Sequence, residues 1–168
     1  MNVTNITKEY EFMQTLKKLS DRLFYLPAYQ KTDRPILAAI VGDKQTLLID
    51  AGNSSNHAKY FKEQLASYHL TGDILALTHW HWDHSFGLPY IQGESISSQL
   101  TRQQLEVVSN WKWTKKDMEQ RVKDGTDIAF VNECIQKVYS DLSMIKIITT
   151  DIIVNDNMKL DLGDIQLE

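Results

Sequence analysis

The sequence predicts a layered α/β domain, and three patterns carry that expectation. Ile74-Leu75-Ala76-Leu77 is a continuous apolar run with the length of a strand covered on both faces. Ile36-Leu37-Ala38-Ala39-Ile40-Val41 and Thr46-Leu47-Leu48-Ile49 flank Gly42-Asp43-Lys44-Gln45, which is a hairpin pattern. Ala58, Phe61, Leu65 and Tyr68 then repeat at helical spacing. A chain of 168 residues that is 42% hydrophobic can bury one sizeable core, so residues 1–168 read as a single domain. Seven glycines, three prolines and one cysteine exclude collagen-like, disordered and disulfide-stapled classes.

Along the chain, Phe12, Met13, Leu16 and Leu19 have helical spacing and predict a helix over 9–20. A strand follows at Leu23-Phe24-Tyr25-Leu26, closed by Pro27. Both arms of the hairpin read as buried, with Gly42 and Asp43 where a positive φ costs least. Asp50-Ala51-Gly52-Asn53-Ser54-Ser55 breaks the pattern, and its Ser and Asn residues supply a cap for the helix carrying Ala58. Gly72-Asp73 closes that region before the run at 74–77. Between 101 and 141, Leu105, Val108, Trp111, Met118, Val122, Ile128, Val131, Ile135 and Val138 fall on helical spacings broken at Gly125, which predicts two or three helices. From Ile145 the pattern returns to β through Ile147-Ile148 and Ile152-Ile153-Val154, and Gly163-Asp164 has the composition of a hairpin turn.

The chemistry is concentrated in His79-Trp80-His81-Trp82-Asp83-His84, which begins two residues beyond the run at 74–77. Its side chains therefore emerge at the carboxyl end of a core strand, where open sheets place their binding crevices. Three of the five histidines fall in this run. A metal site needs such density, because imidazole and carboxylate donors must converge within about 2.0 to 2.2 Å of one ion. If 79–81 are extended, His79 and His81 point to the same side. Asp83 and His84 then turn toward a neighbouring position, a spacing that suits two adjacent ions with water or hydroxide between them. The alternative is an exposed aromatic and histidine loop without metal. Trp80 and Trp82 read as packing that dries and stiffens the loop.

Thr78-His79-Trp80-His81-Trp82-Asp83-His84 resembles the HxHxDH signature of the metallo-β-lactamase superfamily, and Leu47-Leu48-Ile49-Asp50-Ala51-Gly52 resembles the strand and turn that this family carries upstream. The likeness covers residues 22–92 well and Leu160-Asp161-Leu162-Gly163-Asp164 more loosely, with 101–141 as a helical insert. It implies an αββα sandwich, incomplete on its C-terminal side. It also implies zinc at two positions, one held by His79 and His81 and the other by Asp83 and His84, with Asp50 as a buried carboxylate behind the ligands. A turn-forming Asp before Gly52 is the other reading of Asp50. Iron or manganese would also suit nitrogen and oxygen donors. The implied activity is hydrolysis of an ester, thioester, lactone, β-lactam or related small substrate by metal-activated water, with Asp83 as the catalytic carboxylate that orients the water.

The family completes its sites with a third histidine, a bridging aspartate and a final histidine, whereas no histidine follows His84 here. The chain is therefore expected to be the amino-terminal part of a longer hydrolase, inactive alone and self-associating through an exposed sheet. Two alternatives stay open: a non-catalytic metal-binding or interaction module, and a mononuclear iron oxygenase relative. His57 and His69 are expected as exposed helical histidines, Cys134 as a small buried hydrophobe, and Asp151, Asp156, Asp161 and Asp164 as solvated turn acids. Trp111 and Trp113 read as packed indoles beside a solvated Lys115-Lys116 pair. The segment 101–141 is the expected shaper of substrate entry. A net charge of −4 argues against nucleic acid, and the first residues lack the basic and apolar regions of a signal peptide, which predicts a cytoplasmic protein. No apolar run approaches the roughly 20 residues of a membrane span.

Overall fold

The structure is a computed structural model that describes residues 14–154 and 158–168. Seven strands form one sheet in chain order: β1 (Lys17–Lys18), β2 (Leu23–Leu26), β3 (Leu37–Val41), β4 (Thr46–Ile49), β5 (Ile74–Ala76), β6 (Glu94–Ser97) and β7 (Ile152–Ile153). The first four pair antiparallel and the remainder pair parallel. Parallel neighbours need crossovers, and helices supply them. α1 (Ser55–Ala66) joins β4 to β5, and the short α2 (Trp82–Ser85) lies between β5 and β6. α3 (Gln99–Ser109), α4 (Lys115–Lys123) and α5 (Ala129–Val138) separate β6 from β7. A second sheet is the antiparallel ribbon of β8 (Leu160–Asp161) and β9 (Gln166–Leu167).

β4 shows why the alternating polar pattern is missing from its sequence. Leu48 packs with Phe24, Leu37 and Leu75 of the sheet and with Phe61, Leu65 and Leu105 from the helices. Leu47 belongs to a different cluster, with Ile74, Ile96 and Leu162 of the ribbon. Successive side chains thus enter opposite layers, and both faces are apolar. The mixed α/β layering predicted from the sequence is what forms, and the Gly163-Asp164 hairpin joins β8 to β9.

Four expectations are corrected. Residues 14–20 are not helical: Lys17 and Lys18 pair with Tyr25 and Phe24, and the Leu19 and Ser20 amides both donate to the Leu23 carbonyl. A ladder to an already formed strand outweighs a weak helical period, leaving Leu16 buried and Leu19 exposed. Phe12 and Met13 lie outside the described residues, as does Asp156. Gly42 and Asp43 do not take positive φ. Glycine is required at 42 for a different reason, since a Cβ there would lie 2.1 Å from the Leu162 carbonyl oxygen of the ribbon. Ile147-Ile148 form no strand, and Ile147 instead packs as a half-buried side chain between two apolar clusters. Tyr68 lies beyond the end of α1 and is exposed. Among the described residues no helix is long and apolar enough to cross a membrane.

Candidate metal centre

The register of β4 against β5 builds the site. Ile49 is opposite Ala76, so Asp50 and Thr78 leave the sheet side by side. The Asp50 amide donates to the Ala76 carbonyl, at 2.9 Å, and the Ala51 amide to the His84 carbonyl, at 2.8 Å. Asp50 has φ 63, a left-handed conformation that Asp tolerates better than most residues. Its carboxylate is buried and accepts from the Thr78 amide (2.8 Å) and the Thr78 hydroxyl (2.9 Å), and it lies 2.7 Å from His84 Nδ1. Asp50 therefore does more than turn the chain.

Beyond Thr78 the backbone runs without regular structure until His81 caps α2, and Asp83 and His84 fall in one helical turn. The Ser85 hydroxyl is 2.9 Å from the Trp80 carbonyl and 3.0 Å from that of His81, which ties the turn to the loop. The three rings lie near one another, with centroids 4.7 Å apart for His79 and His81 and 4.1 Å apart for His79 and His84. Asp83 Oδ2 is 3.1 Å from His84 Nε2.

Burial works to lower the pKa of His84, but hydrogen bonds and charge from Asp50 and Asp83 outweigh it and raise the value to about 9. Without a bound ion this shift favours the protonated ring, with a carboxylate within reach of each nitrogen, and a metal at Nε2 would displace the proton there. His79 is shifted down, by burial first and then by the charges of His84 and His81. Its Nδ1 lies 2.9 Å from the Thr78 hydroxyl oxygen. Assigning the Thr78 proton to Asp50 makes that oxygen the acceptor for Nδ1–H of His79 and leaves His79 Nε2 with its lone pair.

Three imidazoles and a carboxylate form a donor set that suits zinc and other divalent first-row ions. Asp50 and Thr78 hold His84 and His79 from behind at Nδ1, the outer support that metal-binding histidines use. Among the described residues no three His, Cys, Asp or Glu side chains already form a group that could hold an ion. The donor chemistry fits a metal, while Asp83 in this arrangement is turned onto His84.

Asp33 was not singled out by the sequence. Its carboxylate accepts from the Trp82 indole N–H at 2.9 Å. Burial, and then the charge of Asp83, raises its pKa. A cavity of about 380 Å³ opens here, lined by Asp33, His81 and Asp83 and by residues of the 101–141 segment such as Trp111 and Trp113.

The remaining expected residues lie elsewhere. His57 is in α1 but fully buried, which corrects the expectation of an exposed ring: the first turn faces inward, and the Asn53 amide approaches its Nδ1 at 3.4 Å. His69 is exposed and past the helix end, at φ 60. Cys134 is buried with Met118 and Ile135. Asp151 accepts from Ser95, Asp161 from Lys44 and Gly163, and Asp164 pairs with Arg22. The cation on Trp111 and Trp113 is Arg121, with Cζ 4.5 Å and 4.8 Å from the two ring centroids, while Lys115 and Lys116 are solvated.

Known structures share this fold. A HARLDQ-motif mutant of the metallo-beta-lactamase from Cronobacter sakazakii aligns with TM-score 0.60 and 15% identity, over 90% of this chain and 52% of that one. The metallo-beta-lactamase from Pontibacter korlensis gives 0.57 and 14%, over 91% and 58%. The subclass B3 metallo-beta-lactamase of Bradyrhizobium japonicum gives 0.57 and 14%, over 90% and 49%. This chain thus spans about half the length of these solved relatives. No curated protein sequence matches it. The sequence profile of the metallo-beta-lactamase superfamily matches residues 32–149, running from the turn before β3 through all three helices of the 101–141 segment. The chain belongs to the metallo-beta-lactamase superfamily, a superfamily of metal-dependent hydrolases.

Proposed function

We propose that this chain is the metal-holding part of a cytoplasmic hydrolase, a single domain in which His79, His81, Asp83 and His84 are the ligands of a two-zinc site. The observation that supports it best is the buried Asp50 carboxylate, bonded at once to Thr78 and His84 of the histidine run. A divalent ion bound there would polarise a carbonyl or phosphoryl oxygen and bring the pKa of a water near neutrality. Asp50 orients the His84 ring and fixes which nitrogen faces the site. Asp83 accepts a hydrogen bond from the attacking water and aims it, and Trp80 and Trp82 keep bulk water from the loop. A small ester, thioester, lactone or β-lactam is the substrate class. Two protein donors per ion are one short of the three usual at a catalytic zinc, so the chain alone is inactive and the complete enzyme carries the activity.

The same shortfall, with no histidine after His84, favours a second reading as a metal-binding module without catalysis. Elemental analysis after zinc loading and dialysis tests both. The loaded chain is expected to carry zinc that His81→Ala, a substitution at an exposed residue, does not. Asp50→Asn is expected to weaken zinc affinity about 10 to 100-fold, because Asn keeps the left-handed backbone but loses the charge behind His84. Retention near two ions per chain supports the catalytic reading, and loss on dialysis supports the module. Equal zinc in wild type and both variants would sink the assignment of the site.

A further inference from the structure

All four tryptophans of the chain, Trp80, Trp82, Trp111 and Trp113, line the cavity that also carries His81 and Asp83. Two come from the histidine run and two from the link between α3 and α4, so the wall is assembled from segments about thirty residues apart. It is also braced. The Trp82 N–H is satisfied by Asp33, leaving the indole ring as apolar surface. Phe86 meets Trp82 and Trp113 edge-on, at 6.0 Å and 5.2 Å between centroids. Arg121 stacks on Trp111 and Trp113, and its Nη1 donates to the Lys112 carbonyl at 3.1 Å. A packing defect would not need such support.

The opening is apolar as well. Ile128 and Phe130 line it although they are 61% and 45% exposed, which costs free energy unless something covers them. The charged groups in the lining are Asp33, Asp83 and Asp127, with no lysine or arginine among them. A volume of about 380 Å³ falls in the range of small-molecule sites, roughly 300 to 1,000 Å³.

We infer that this cavity is the subsite for an uncharged aryl or acyl group of the substrate, so that the hydrolase acts on esters, thioesters or lactones with a bulky apolar arm and discriminates against an anionic one. The inference rests on the proposed hydrolase for the placement of the scissile bond beside His81 and Asp83. The walls are indole, phenyl and branched aliphatic surface, which favours apolar area. Away from the proposed metal ligands, an anionic arm would lose its hydration against these walls and face Asp33 and Asp127, while the nearby Arg121 is engaged with the Trp111 and Trp113 rings and the Lys112 carbonyl.

The tryptophans report on the cavity without any turnover. The full chain, with chelator present so that no metal recruits an anion, is titrated with 4-phenylbutyramide and with 4-phenylbutyrate while indole emission is recorded. The amide is expected to change the emission saturably, and the carboxylate to bind at least tenfold more weakly. Phe130→Ala, at an exposed rim position, is expected to weaken the amide about three to tenfold, and Leu100→Ala, exposed on α3 and outside the cavity, to leave it unchanged. No saturable change with the amide, equal affinity for the two probes, or insensitivity to Phe130→Ala overturns the inference. Zinc uptake is measured on separate samples free of chelator: probe binding by a chain that fails to take up zinc there would sink the metal assignment and spare the subsite. The reverse result would spare the metal site and remove the subsite.

Discussion

Asp50, just after β4, and His57, near the start of α1, are both buried polar residues, and they depend on different physics. The Asp50 carboxylate has its desolvation offset by the Thr78 amide, the Thr78 hydroxyl and His84 Nδ1. His57 is held well below its ordinary value of 6.5, by burial first and then by the charge of Arg34. The unfolded chain takes up this proton near pH 6.5 while the folded chain does not. His57 therefore leaves stability complete above that pH and subtracts from it as pH falls, by at most about 1.4 kcal/mol per unit. Urea midpoints measured from pH 7 to pH 5 should fall more steeply for wild type than for His57→Gln, and parallel curves would refute this. The sequence offered Asp50 only through a resemblance and His57 only as a helical position. His57 stands four residues before Phe61 and eight before Leu65, so the helical period itself places it on the inward face of α1.

At the scale of elements, β2, β3, β4, β5 and β7 were legible as short apolar runs, and those of β3, β4 and β5 are continuous because both of their faces are covered. β1 was illegible because two lysines carry no strand signal, and only pairing with Phe24 and Tyr25 makes them one. The helices of 101–141 were legible from their period alone, as two or three, and the structure adds the caps: Ser98 accepts from the Thr101 amide and Thr114 from that of Asp117. The docking of the β8–β9 ribbon on the β3–β4 hairpin was hidden, since it rests on a missing side chain at Gly42 together with the Lys44 amide donating to Leu162, at 2.9 Å. Gly42→Ala is expected to cost roughly 1 to 3 kcal/mol and to loosen the ribbon. Limited proteolysis after Lys159 should then be faster than in wild type. An equally stable and resistant variant would contradict the close approach.

Across the whole molecule, the difference between the metal centre and the cavity lies in how the chain assembles them. The donors sit on one loop and one helical turn, so their spacing alone exposed them. The cavity draws on residue 33, on 80–86 and on 108–135, and no local pattern joins segments that meet only after the three helices fold back over the sheet's carboxyl end. Asp33 escaped the sequence for the same reason. The order of strands explains the conjunction: consecutive parallel neighbours β4, β5 and β6 put Asp50, the histidine run and the start of α3 at one end of the sheet. The central claim, that the run 79–84 binds a divalent ion with Asp50 behind it, is tested most directly by a zinc titration followed through the five imidazole resonances. The resonances of His79, His81 and His84 are predicted to shift together and saturate, with the Nδ1–H of His84 retained on Asp50, while those of His57 and His69 stay in place. Shifts led by His69, or no change in the three clustered rings at saturating zinc, would contradict it.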